Sequence, residues 1–221
     1  MGMKKKGLIL AACLLAPGVG AQEPLSPATP LPTVVEDVAP SPEKVHPLAV
    51  GEKIPDGLLI EKDGKKIRLS EVRGKKPAVI LFYRGGWCPY CSVHLARIQK
   101  VEGDLRKLGL QILAITPDNP YYLGQMAKKG DLTYRLLGDP SMEVTKKFGL
   151  AYRVDAETLK GQQQMHFSLE TYAGSAHHLL PVPAAYLVGA DGKVLFAYSN
   201  PNYQVRINAQ ALLEKARELL E

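Results

Sequence analysis

Residues 78–91 constrain this chain more than any other stretch. Ala78 to Tyr83 reads AVILFY and runs without a break into Arg84-Gly85-Gly86-Trp87-Cys88-Pro89-Tyr90-Cys91. An unbroken β-branched and aromatic run predicts a strand buried on both faces, which needs a covering layer above and below it. The residues after it predict a helix from Pro89 to Leu108. Proline suits the first helical position, where its missing N–H is not needed. Val93, Ile98, Val101, Leu105 and Leu108 form an apolar stripe, and Gly109 is the stop.

That junction also carries chemistry. Gly85 and Gly86 let the backbone turn sharply, which leaves Cys88 at the positive end of the helix. A thiolate is stabilised there, so Cys88 becomes a better nucleophile and a better leaving group. Cys91 follows one helical turn later, close enough to attack a mixed disulfide formed at Cys88. The pair can cycle as a redox-active disulfide with no cofactor. A purely structural disulfide is the other use of such a pair, and the strand-to-helix context favours the redox one.

The rest of the chain alternates in type. Leu58 to Ile60 and Ile67 to Leu69 flank Asp63-Gly64, a hairpin signal. Leu110 to Ile115 (LQILAI) is a second buried strand. The chain then turns at Pro117 to Pro120 toward a helix near Tyr121 to Lys129. Tyr134 to Leu137 predicts a short strand, with Ser141 capping a helix that ends at Gly149. Ala184 to Val188 and Val194 to Ala197 predict a hairpin across Asp191-Gly192. Asn208 caps a closing helix whose apolar face holds Leu212, Leu213, Ala216, Leu219 and Leu220. Together these predict an α/β fold, a mixed central sheet with helices on both faces. Asp155 to Leu180 is less regular and rich in Gln, and reads as an insertion on the domain.

Upstream, Met1 to Ala21 has the parts of an export signal. Lys4-Lys5-Lys6 form a positive segment, Gly7 to Ala16 a run of ten apolar residues, and Val19-Gly20-Ala21 a small-residue cleavage site. Leu10-Ala11-Ala12-Cys13 also resembles a lipobox, which would make Cys13 a lipid anchor. The expected location is the bacterial periplasm or cell envelope. Residues 22–47 hold seven prolines with Ser, Thr and Ala between them, and read as an extended spacer. The domain is expected over residues 48–221. Loss of the leader's lysines lowers the formal charge from +6 to +3. With no dense basic run interleaved with aromatics, nucleic acid is not an expected partner. Ten apolar residues are too few for a membrane span, and nothing later is long enough.

With these residues in view, FYRGGWCPYC is similar to the active-site run of the thioredoxin superfamily. From Leu48 onward the chain resembles the alkyl hydroperoxide reductase/thiol-specific antioxidant family, in its peroxiredoxin-like branch. The resemblance extends to the entry Leu180-Pro181-Val182-Pro183-Ala184, the hairpin LVGADGKVLF and Asn202 to Arg206. It implies a thioredoxin-like fold. It also implies a cis peptide bond before Pro183, which with Val182 would face the cysteines as a backbone platform for substrate. Trp87 and Tyr90 are expected to form an apolar rim for a docking disulfide, or to pack as ordinary aromatics.

Two departures separate sub-functions. Peroxiredoxins place a Thr three residues before the attacking Cys and bring an Arg from a distant strand beside it. By count from Phe82, Cys88 stands at the Thr position and Cys91 at the attacking position, while Pro183 falls near the expected Arg. Arg84 and Arg206 are candidate substitutes. The buried Asp of typical thioredoxins, six residues before the first Cys, is Phe82 here. The expectation is therefore an exported thiol–disulfide oxidoreductase in which Cys88 attacks and Cys91 resolves. Its partners would be protein or small-molecule thiols and disulfides, with a redox partner for recycling. One alternative is a thiol-dependent peroxidase acting on hydroperoxides, with Cys91 attacking and Cys88 resolving. The other is a copper or zinc carrier using Cys88, Cys91 and His94, helped by His177 and His178.

Overall fold

A computed structural model describes residues 1–2, 38–165 and 167–220. The leader, Cys13 and residues 22–37 of the spacer lie outside the described residues, apart from Met1 and Gly2. Residues 36–221 make up one unit of the chain, and only residues 1–2 are described of the other, 1–35.

In chain order the elements are β1 (Leu58–Ile60), β2 (Lys66–Arg68), α1 (Leu69–Arg73), β3 (Ala78–Phe82), α2 (Pro89–Lys107), β4 (Gln111–Thr116), α3 (Pro120–Gly130), β5 (Arg135–Gly138), α4 (Glu143–Lys147), β6 (Ala151–Arg153), α5 (Ala156–Gln164), α6 (Leu169–Ala173), β7 (Leu179–Pro181), β8 (Ala184–Val188), β9 (Val194–Ser199) and α7 (Ala209–Leu220). Seven strands form one sheet in the order β2-β1-β5-β4-β3-β8-β9, and β6 pairs with β7 in a second, two-stranded sheet. β3, β4 and β5 run parallel, with β8 and β1 antiparallel to their neighbours, so the sheet is mixed.

β3 lies between β4 and β8, and all five of its residues are buried. Side chains alternate along a strand, and the core divides accordingly. Val79 and Leu81 join Ile112, Ala114, Ala185 and Leu187 beneath α2, α3 and α7. Ala78, Ile80 and Phe82 join Leu113, Ile115, Tyr186 and Val188 beneath α1 and α4. The thioredoxin-like architecture with helices on both faces is thus present. No helix among the described residues is long and apolar enough to cross a membrane.

Four local expectations need correction. Residues 38–47 do not stand clear of the domain: Arg153 N donates to Ala39 O at 2.9 Å and His46 N to Gly149 O at 3.1 Å. The cap of α4 is not Ser141. Met142 takes a left-handed turn at φ 59°, and the buried Asp139 carboxylate reaches Thr145 N at 2.7 Å and Thr145 Oγ1 at 2.8 Å. The irregular stretch holds two helices, α5 capped by Asp155 and α6 capped by Ser168. Finally, the bond before Pro183 is trans, as no cis peptide occurs among the described residues. Val182 N is bound to Leu150 O at 2.9 Å and Pro183 O to Asn200 N at 3.4 Å, so the backbone passes extended from β7 into β8 and the ordinary trans form fits.

Phe148, wholly buried, closes the second face, with ring centroids 4.8 Å from Phe82 and 5.4 Å from Tyr186. Truncation leaves a cavity against the central strand. Phe148→Ala is expected to cost about 3–5 kcal/mol in urea unfolding at constant m-value.

Candidate active site

The site begins where β3 ends. Gly85 adopts φ +155°, and a Cβ there would collide with the Trp87 indole, so the turn requires glycine. Gly86 N donates to Asp118 Oδ2 at 2.7 Å, tying the turn to the loop after β4. Cys88 N then donates to Gly85 O at 3.2 Å, and Pro89 opens α2 with Cys88 as its N-cap residue. Cys88 and Cys91 are both free thiols and both buried.

The two sulfurs differ in ionisation. Cys88 is held down to about 6, chiefly because the Cys91 side chain donates a hydrogen bond to it. The Cys91 backbone N–H and the charges of Arg84 and Arg206 add to this and outweigh the opposing effect of burial. Cys91 is pushed well above an ordinary thiol, because it gives that hydrogen bond, is buried and faces the Cys88 charge. At neutral pH the pair is one thiolate and one thiol, with the thiolate at the helix N-terminus.

Both candidate arginines are at the site. Arg84 is buried, its guanidinium 5.0 Å from the Trp87 ring centroid and 4.0 Å from that of Tyr203. Arg206 Nη2 donates to Cys91 Sγ at 3.5 Å, and its Nη1 to Tyr203 O. Stacking on the Trp87 and Tyr203 rings is what draws Arg84 inward. Tyr90 is exposed at the rim and meets Tyr203 edge-on at 5.7 Å. Trp87 turns the other way, 4.7 Å from Phe167 and 6.3 Å from Tyr172, so the insertion packs on the active-site loop. Pro183 lies one residue beyond the last β3–β8 couple, Phe82 with Ala184. Val182 is wholly buried with its N–H bound to Leu150, so it presents no open platform.

The metal-carrier constellation does not assemble: among the described residues no three His, Cys, Asp or Glu side chains converge as ligands. His94 is buried and held down to about 4 by that burial. His177 is likewise pushed down to about 4 by burial, and His178 Nε2 pairs with Glu170 Oε1 at 2.8 Å.

Asp118 is the residue that the sequence did not reveal. It is 1 % exposed and pushed up to about 7 by burial, which outweighs its hydrogen bonds from Gly86 and Thr116. Its only signal in the sequence is a lone Asp in the turn Pro117 to Pro120, which any loop would tolerate.

Two outcomes follow from these charges. Arg84→Gln removes a cation beside Cys88 and is expected to raise that thiol's pKa above about 6, read from ultraviolet thiolate absorbance against pH. Asp118 ionises near 3.8 unfolded and about 7 folded. Its contribution is intact below the unfolded value and is lost as pH rises through the folded one. Denaturant melts of the reduced protein should therefore show stability falling by the order of a few kcal/mol from pH 4 to pH 8, a slope that Asp118→Asn reduces.

Comparison with known proteins agrees with this geometry. The AhpC/TSA family matches residues 50–197. The chain is 36% identical over 106 residues to the putative peroxiredoxin bcp of Haemophilus influenzae, covering 48% of this chain and 68% of that one. It is 27% identical over 150 residues to the peroxiredoxin Bcp of Escherichia coli, covering 68% and 85%. Among solved structures, peroxidoxin BcpB from Mycobacterium tuberculosis superposes with a TM-score of 0.61 at 19% identity, over 79% of this chain and 99% of that one. Reduced Prx3 from Vibrio vulnificus, in complex with hydrogen peroxide, gives 0.63 at 16%, over 76% and 99%. With the family match spanning most of the compact unit and both cysteines inside it, the chain belongs to the AhpC/TSA family and is an oxidoreductase.

Proposed function

We propose that this protein is a thiol-dependent peroxidase whose working pair is Cys88 and Cys91. The observation that carries the reading is a thiolate and a neutral thiol in hydrogen contact beside two guanidinium groups, within a chain of this family. The Cys88 thiolate attacks the distal peroxide oxygen and becomes a sulfenic acid while the alcohol or water leaves. Cys91 condenses with that sulfenic acid, releasing water and closing the disulfide. An external thiol reductant then restores both thiols. Arg206 Nη2, 3.5 Å from Cys91 Sγ, supplies the positive charge that the family resemblance leads one to expect from an Arg near Pro183. The order of attack is the reverse of the one that counting from Phe82 implies, because Cys88, not Cys91, carries the low pKa.

Relatives named peroxiredoxin support hydroperoxides as substrates. Disulfide exchange with other proteins remains a second reading, favoured by the helix-opening pair itself and by exposed Tyr90 at its edge. The leader-like composition of Met1 to Ala21 supports export of either activity.

Hydroperoxide consumption with dithiothreitol as donor tests the proposal. Cys88→Ser is expected to abolish turnover. Cys91→Ser, given hydroperoxide with dithiothreitol left out, is expected to make one fast turnover and halt at a trappable sulfenic acid. A wild-type rate no better than that of a free thiol, alongside rapid reduction of a model protein disulfide, would establish the second reading instead.

A further inference from the structure

Beside the cysteine pair, α2 and the segment leading into α7 enclose a groove of about 580 Å³. Pro89 and Tyr90, the two residues between the cysteines, line one end of it. So does Arg206, whose Nη2 lies 3.5 Å from Cys91 Sγ. From Pro89 the groove follows α2 as far as Arg97, about 12 Å at a helical rise of about 1.5 Å per residue. Tyr90, Val93 and Arg97 stand at helical spacings of three and four residues and so share one face.

The walls of this groove are apolar and its charge is of one sign. Tyr90, Val93 and Val205 line it and are exposed, at 43 %, 51 % and 42 %. By sequence Val93 belongs to the stripe that α2 turns to the core, yet here it faces out. Aromatic and β-branched side chains left open along one groove mark a binding surface. Among the described residues that line it, none is acidic, and His94 is neutral at neutral pH because burial holds it down to about 4. The charge is therefore that of Arg97 and Arg206. Arg97 is exposed and, among the described residues, paired with no carboxylate. Two buried nitrogens of the lining residues, His94 Nε2 and Arg206 Nε, have no hydrogen-bond partner. A purely apolar occupant leaves all three groups unanswered, whereas a peptide main chain bearing a carboxylate offers a partner to each.

We infer that this groove docks an extended, acidic segment of the dithiol protein that reopens the disulfide. Its attacking cysteine lies at the Pro89 end and its carboxylate on Arg97. An extended chain advances about 3.3 Å per residue, so the acid stands three or four positions from that cysteine. The inference rests on the reading of Cys88 and Cys91 as a redox pair that an external thiol recycles. The exchange balances, since the partner's two thiols lose two electrons and two protons in becoming its disulfide, and Cys88 and Cys91 take up both as their S–S bond breaks.

The oxidised full chain tests this with no peroxide present. The probes are two capped tetrapeptide thiols, Cys-Leu-Leu-Glu and its counterpart ending in Lys, each in both chain directions. Reopening of the disulfide is followed by alkylation and mass measurement. The Glu peptide is expected to act about tenfold faster than the Lys peptide at low salt. That advantage should shrink at 1 M salt, where the screening length falls to about 3 Å. Arg97→Glu, a change at an exposed helix position, is expected to invert the ratio of the two rates. Both peptides meet the same sulfurs, so a change in sulfur reactivity moves both rates alike and leaves the ratio where it was. A Glu placed directly beside the Cys is expected to lose most of the advantage. Equal rates in the wild type overturn the proposal, as does a ratio that Arg97→Glu leaves unchanged, the mark of net charge alone. Glutathione acting as fast as the Glu peptide, with the same dependence on Arg97, overturns it in favour of a small anionic thiol. A wild-type dimer that Val93→Lys dissociates overturns it in favour of a second copy of this chain. A wild type that consumes no hydroperoxide but keeps the ratio refutes the peroxidase reading and leaves this one standing.

Discussion

The hydrogen bond from the Cys91 thiol to the Cys88 sulfur is the contact on which the rest of the site depends. It exists because Pro89 starts a helix at the residue after Cys88 and because one turn of that helix brings Cys91 back beneath it. The helix can start there only because β3, held between β4 and β8, delivers the chain to a fixed point and Gly85 turns it at once. A strand at the sheet edge would fray and blur this geometry. An interior strand of a seven-stranded sheet does not.

Around that contact the molecule places charge on one side and apolar bulk on the other. Arg84 and Arg206 approach from the loop and from the segment before α7, and both favour the charged form of Cys88. Phe167 and Tyr172 of the insertion stack on one another and meet Trp87 of the active-site loop, with Tyr122 continuing the wall at 4.2 Å from Tyr172. Water is thereby excluded from the Asp118 side, and low dielectric strengthens every remaining interaction there. The insertion is best understood as the outer wall of the redox centre.

Much of this was legible in the sequence. AVILFY, the two Asp-Gly hairpins, Pro89 and Gly109 each carry a local signal strong enough to survive folding, and the elements lie within a residue or two of where those signals put them. What escaped notice depended on neighbours distant in sequence. α5 has one buried residue, Gln162, so no apolar period marks it. Asp139 reaches Thr145 only because Met142 takes a left-handed turn, which its sequence does not advertise. Arg84 is buried by the ring of Tyr203, more than a hundred residues away, and Asp118 acquires its character wholly from burial. The cis bond before Pro183 came by analogy with other chains, and the hydrogen bonds of Val182 and Pro183 give it no place here.

The sulfur-to-sulfur hydrogen bond has an equilibrium consequence as well as a kinetic one. It is present only while both sulfurs are reduced, and it stabilises the charged form of one of them. Oxidation to the disulfide gives up that bond together with the attraction of Arg84 and Arg206 for the thiolate. Everything that lowers the pKa of Cys88 therefore also favours the dithiol over the disulfide, raising the reduction potential of the couple. Each of these contacts thus makes a disulfide closed at this site easier for an external thiol to reopen than it would be without them.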